Sequence, residues 1–172
     1  MPLQKNLASL LRPLVWAALL AAPTVVCAEE VLLRVVGAVD RPLELTRSDL
    51  AAMPRERVQI PARDDSASIE TWEGVPLIEI LRKAGAPVDE RLRGRSAAAY
   101  VLVKAQDGYR AVYALAEVDP AFSPERRILV ADMVDGKPLG GDMGKLRIAN
   151  QGERKFARWV RQVVALEVRL AE

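Results

Sequence analysis

The chain has 172 residues, 51% of them hydrophobic, with 25 Lys and Arg against 23 Asp and Glu, a single cysteine and no histidine. That inventory removes imidazole bases, axial haem histidines and the usual Cys/His zinc sites from consideration. A net charge of only +2 argues against a general nucleic-acid or anionic-membrane binder.

The first 28 residues read as a cleavable signal peptide. Lys5 and Arg12 supply the positive start, Leu14 to Val26 the apolar stretch, and Val26-Cys27-Ala28 the small residues of a cleavage site. The apolar stretch, interrupted by Pro23, falls short of the roughly 20 residues that cross a bilayer. The expectation is therefore cleavage after Ala28, release into the periplasm, and a mature chain without a membrane span. Lys5, Arg12 and Cys27 leave with the segment, so residues 29–172 carry 23 basic and 23 acidic side chains and no thiol. A length of 144 residues suits one domain stabilised by packing without disulfides.

Val31 to Val36, closed by Gly37, and the alternating Leu43-Glu44-Leu45 predict an opening hairpin. Thr46 is placed to cap a short helix over Arg47 to Ala52, with Asp49 in its first turn and Pro54 beyond its end. Val58 and Ile60 predict a strand, Ala62 to Ser68 a polar loop, and Ile69 and Thr71 a short returning strand. Val75, Leu77, Ile78 and Leu81 recur at helical spacing, with Pro76 in the first turn and Gly85 as a left-handed exit. Arg91 to Arg95 reads as a solvated segment. Tyr100 to Val103 and Tyr109 to Tyr113 then flank Gln106-Asp107-Gly108 as a hairpin. Ile128 to Ala131 predicts a buried strand, Asp135-Gly136 a turn, and Leu146 to Ile148 another strand. Trp159-Val160 with Val163-Val164 suggests a helical turn, and Leu166, Val168 and Leu170 alternate as a last strand. Many short strands with few helices give an α+β fold with a mixed sheet.

The spacing Trp72-x-Gly74-Val75-x-Leu77, followed by Leu81 and Ala84-Gly85, resembles the molybdopterin-binding domain of the sulfite oxidase family. Asp107-Gly108-Tyr109, Leu129-Val130-Ala131, Gly136-Lys137-Pro138-Leu139, Gly144-Lys145-Leu146-Arg147 and Trp159-Val160-Arg161-Gln162-Val163 follow in the family's order. The resemblance covers roughly Val31 to Val168. It implies the family's sulfite-oxidase-like α+β fold with a large mixed sheet, and an ancestral role in holding molybdopterin.

The departures matter as much. Family enzymes hold molybdenum through a cysteine thiolate in the loop before the Trp-x-Gly-Val motif; here that loop is Ala62-Arg63-Asp64-Asp65-Ser66-Ala67-Ser68, without sulfur. Asp64, Asp65 or Ser66 offers at best a harder oxygen ligand. Lys145 stands where proline is common, and the histidine often found nearby is missing.

The residues singled out for ligand contact are Arg63, Asp107, Tyr109, Lys145 and Arg147. Lys145, Arg147, Arg154, Lys155, Arg158 and Arg161 concentrate positive charge that suits a pterin phosphate or an acidic partner, or else a solvated surface tied by salt bridges. Asp107 also suits the turn, and Tyr109 packing across the hairpin. Trp72 and Trp159 have the shape to stack on a flat pterin but suit a core equally. Asp132, Asp135 and Asp142 lack the spacing of a calcium loop.

Two functions stand. One is a non-catalytic periplasmic module, free of any cofactor, that binds a small anionic ligand, a peptide or a protein partner. The other is a molybdopterin-dependent oxidoreductase with a pocket built from Arg63, Lys145 and Arg147 and a membrane haem partner. The absent cysteine and histidine favour the first.

Overall fold

The structure is a computed structural model, and it describes residues 29–62, 68–153 and 155–171. Among the described residues ten strands and three short α-helices form two five-stranded sheets. The α+β expectation holds, with sheet predominating.

The first sheet runs in the order β2-β1-β10-β5-β6, from β1 (Leu33–Gly37), β2 (Leu43–Leu45), β5 (Ala99–Ala105), β6 (Arg110–Ala114) and β10 (Val163–Leu170). β1 lies parallel to β10, with Arg34 opposite Ala165, and every other pairing in this sheet is antiparallel. The two ends of the domain are thus adjacent, which places residues 30–32 beside the start of β10. The second sheet is antiparallel throughout: β3 (Glu56–Pro61), β4 (Ile69–Pro76) and β7 (Arg127–Val134) in sequence. The first half of β7 pairs with β9 (Arg147–Gln151) and its last residues with the two-residue β8 (Lys137–Pro138).

Alternation along β7 explains its run of four apolar residues. Ile128 and Val130 join the larger core between the sheets, while Leu129 and Ala131 join a second cluster on the opposite face. A strand buried on both faces reads as continuously apolar. The larger core also takes Leu33, Val35, Leu166 and Val168 from the first sheet, and Leu77, Ile80, Leu81 and Ala84 from α2 (Leu77–Ala84). Each of these Leu, Ile and Val side chains stabilises the fold by roughly 1.5–3 kcal/mol when fully buried. The smaller cluster gathers Val58, Ile60, Trp72, Leu139, Ala149 and Trp159.

Local chemistry sets the helix ends. Thr46 caps α1 (Arg47–Ala51): its Oγ1 accepts from the Asp49 N–H at 3.2 Å, and the Asp49 carboxylate accepts from the Thr46 N–H at 2.9 Å. Gly85, at φ 72°, ends α2, and the N–H groups of Gly85 and Ala86 donate to the carbonyls of Arg82 and Leu81, each at 2.9 Å.

Several expectations need correction. Val75 belongs to β4, where it pairs with Val130, and Pro76 sits at the N-cap of α2 rather than in its first turn. The returning strand has eight residues, not a short stub. Trp159 follows a 3₁₀ turn at Phe156–Arg158, and Val163 and Val164 open β10, so no helical turn spans them. The short helix α3 (Leu115–Val118) was not anticipated. No helix among the described residues is long and apolar enough to cross a membrane.

Candidate functional site

Two features stand out, on either side of the segment between β8 and β9. The first is an aromatic corner in the smaller cluster. Trp72 from β4 and Trp159 meet edge to face, with ring centroids 6.0 Å apart, and Phe156 packs 4.8 Å from Trp159. The Arg147 guanidinium, only 8% exposed, lies 4.8 Å from the Trp72 ring and 5.6 Å from the Trp159 ring, near the Met143 sulfur at 3.5 Å. Indole faces attract a desolvated cation, so this arginine is held by rings. Trp72 Nε1 donates to Glu70 at 3.0 Å, whereas buried Trp159 Nε1 and Asn150 Oδ1 have no hydrogen-bond partner among the described residues.

The second feature is an open cavity of about 760 Å³, lined in part by Glu30, Arg47, Gln106, Gly140, Lys145 and Gln162. That volume falls within the range of small-molecule sites. Its floor is pinned. Gln162 donates its backbone N–H to Met143 at 3.0 Å and its side-chain amide to the Asp142 carbonyl at 3.2 Å, and it accepts from the Gln106 N–H at 2.9 Å. Lys145 forms an ion pair with Glu30 across the rim. Glu29 anchors the same segment, accepting from the Ser48 N–H at 2.9 Å; hydrogen bonds from Ser48 hold its carboxyl below the ordinary range.

Among the described residues, the expected site residues do not line one cavity. Lys145 lines the cavity; Arg147, two residues on, is not among its lining and lies on the tryptophans. Asp107 accepts from the Tyr109 N–H at 2.9 Å and closes the β5–β6 turn, while the Tyr109 hydroxyl donates to the Ala157 carbonyl at 2.6 Å. Arg63, with Asp64, Asp65 and Ser66, lies outside the described residues, as does Arg154.

Arg158 is consumed by structure. It donates to both oxygens of Glu117 at 3.1 Å and to Glu153 at 2.7 Å, and its guanidinium lies 4.6 Å from the Tyr113 ring. Burial pushes the Glu117 carboxyl up, but hydrogen bonds from Arg158 and the Ala114 N–H outweigh it and hold the group below its usual value. Burial, then the Glu153 charge, raises the Tyr113 hydroxyl far above its ordinary value. Asp132 pairs with Arg55 at 2.6 Å, and Asp135 accepts from the Thr71 N–H at 2.8 Å, so these two aspartates serve the sheet. Sequence reasoning missed Glu30, Arg47, Gln106 and Gln162. It also missed Asp119, which is fully buried and accepts from the N–H groups of Asp89 at 2.6 Å and Ala121 at 2.9 Å.

No three Asp, Glu, His or Cys side chains among the described residues converge as metal ligands. Residues 29–172 offer carboxylate and hydroxyl oxygens, lysine amines and the thioethers of Met53, Met133 and Met143, but neither thiolate nor imidazole. That donor set does not fit a molybdenum centre held by cysteine sulfur.

Among curated proteins, no sequence matches the chain. Among solved structures, the sulfane dehydrogenase SoxCD from Paracoccus pantotrophus is similar, with a TM-score of 0.60 and 18% identity, over 79% of this chain and 37% of that one. The present chain thus spans little more than a third of that structure's length, and the likeness is one of fold. The model of the oxidoreductase molybdopterin binding domain family matches residues 20–172. On that match, with the sulfite-oxidase-like fold beneath it, the chain belongs to the oxidoreductase molybdopterin binding domain family.

Proposed function

We propose that this chain is a periplasmic, non-catalytic member of its family, a module that binds a small ligand or protein partner without molybdenum. The observation that carries the reading is the donor set: a scaffold of the molybdopterin-binding family whose residues 29–172 contain neither cysteine nor histidine. A thiolate both holds and tunes a redox metal, and hard oxygens do not replace it. The cavity beside Gly140 and Lys145 supports a retained binding role, since it joins a ligand-sized volume to cationic and amide side chains. Export rests on the leader-like composition of residues 1–28.

The family match also favours a second reading, a molybdopterin-dependent oxidoreductase working with a membrane haem partner. That reading requires a thiolate from outside residues 29–172. Elemental analysis of the chain, exported from a host that makes molybdopterin, separates the two. The proposal expects an intact mass beginning at Glu29 and molybdenum far below one atom per chain. Stoichiometric molybdenum overturns it. Fluorescence of the denatured supernatant reports whether a metal-free pterin accompanies the protein.

A further inference from the structure

We infer that the cavity between residues 30–32, the Gly140–Lys145 segment and Gln162 is a seat for a small organic anion bearing a carboxylate or phosphate, and that Glu30 is its built-in competitor. The inference rests on the metal-free reading by treating this cavity as the module's ligand seat, and it adds a ligand class and a gate.

Three observations converge. First, the cavity's two cations are weakly committed. Lys145 is half exposed and pairs with Glu30, itself 68% exposed on the segment before β1, and Arg47 forms no ion pair among the described residues. Exposed pairs of this kind are worth little, so an anion that reaches both cations displaces Glu30 at small cost. Second, a carboxylate already sits on Lys145, which identifies the chemistry that the position accepts. Third, Gly140 is glycine without a backbone reason. Its φ of −168° is extended, and an added Cβ would meet nothing within 4 Å. Gly140 lines the cavity and the space beside its Cα is open, so the bare backbone leaves room for an occupant. Gln106 and Gln162 add amide donors and acceptors that select ligand shape beyond charge.

The Glu30 carboxylate on Lys145 is part of the chain, so free ligand competes with an intramolecular group. Removing that carboxylate raises apparent affinity by the fraction of Lys145 it releases. The test is calorimetric titration of the exported chain, its molybdenum content measured on the same sample, with succinate and with glycerol phosphate as probes and chloride as the control. At least one organic anion is expected to bind, and which one binds identifies carboxylate or phosphate as the natural group. Glu30→Gln tightens binding about 2- to 5-fold, the scale of an exposed ion pair. Lys145→Gln weakens it about tenfold or more. Gly140→Val abolishes binding without lowering the melting temperature, and Gly140→Ala shares that thermal stability. If neither probe binds the parent or Glu30→Gln protein, or if Gly140→Val binds as the parent does, the inference falls. Stoichiometric molybdenum would instead overturn the metal-free reading, an outcome read separately from the titrations.

Discussion

Gly74 offers the sharpest test of how the family motif works in this chain. A Cβ built at this position would stand 2.2 Å from the Val130 carbonyl oxygen and 2.5 Å from the Ala131 Cα, both backbone atoms of β7. Neither can swing aside as a side-chain tip would. In Gly74→Ala, ordinary contact returns only if β4 and β7 separate locally by about 1 Å. Gly74 pairs with Ala131 and Val75 with Val130, at a register shift. Ladder bonds near 2.9 Å, stretched by that amount, leave the range of useful hydrogen bonds. Two buried pairs that lose their bonds, at about 1–3 kcal/mol each, predict a loss of about 2–6 kcal/mol. With a urea slope near 2 kcal/mol/M, the unfolding midpoint should fall by about 2 M, followed by tryptophan fluorescence. Gly140→Ala, with open space around its new Cβ, is the matched control and should stay within about 0.5 kcal/mol of the parent. A Gly74→Ala midpoint within about 0.3 M of the parent would refute the reasoning.

Further expectations are simpler. Trp159→Ala removes a 3%-exposed ring that packs on Trp72 and Phe156, and should cost about 3–5 kcal/mol in denaturant unfolding, with loss of near-ultraviolet dichroism. Thr46→Ala deletes one arm of the α1 capping box and should cost about 1 kcal/mol, with faster amide exchange confined to that helix. Glu167, with hydrogen bonds first from Arg169 and then from Lys104, has its carboxyl drawn down from 4.5 to about 2. Because the folded value is the lower one, this stabilisation is complete above pH 4.5 and drains away as pH falls towards 2. Carboxyl titration by NMR should place Glu167 near the bottom of that window, and Glu167→Gln should flatten the acid limb of stability.

Elements whose signal is local were legible. The Asp107 turn was readable because an aspartate two residues before an amide donor organises its own loop, and Asp107 accepts from the Tyr109 N–H as such turns require. The Thr46 cap was readable for the same reason. Trp159 to Val164 misled because apolar residues at 159, 160, 163 and 164 satisfy a helical period as well as an extended one. Tertiary structure decided it: Trp159 enters the smaller cluster and Val160 the larger core, Gln162 takes φ 53°, and Val163 joins a ladder with Ala105. Val75 misled in the same way, its helical spacing to Ile78 being overridden by its pairing with Val130.

The cavity was legible only in Lys145. Its other walls come from residues far apart in the chain, joined by the parallel pairing of β1 with β10, and no spacing in sequence announces such a pairing.

The motifs that reveal the family turn out to be packing devices in this chain. Trp72 and Trp159 form the aromatic corner, Gly74 admits the backbone of β7, and Asp107 with Tyr109 closes a turn and ties it to Ala157. Each has a physical reason to persist that does not involve a metal. A scaffold can therefore keep all of these positions, and remain recognisable through them, after its thiolate is gone. For this family, motif survival speaks for fold, and the donor atoms at the site must speak for chemistry; in residues 29–172 those donors include no thiolate and no imidazole.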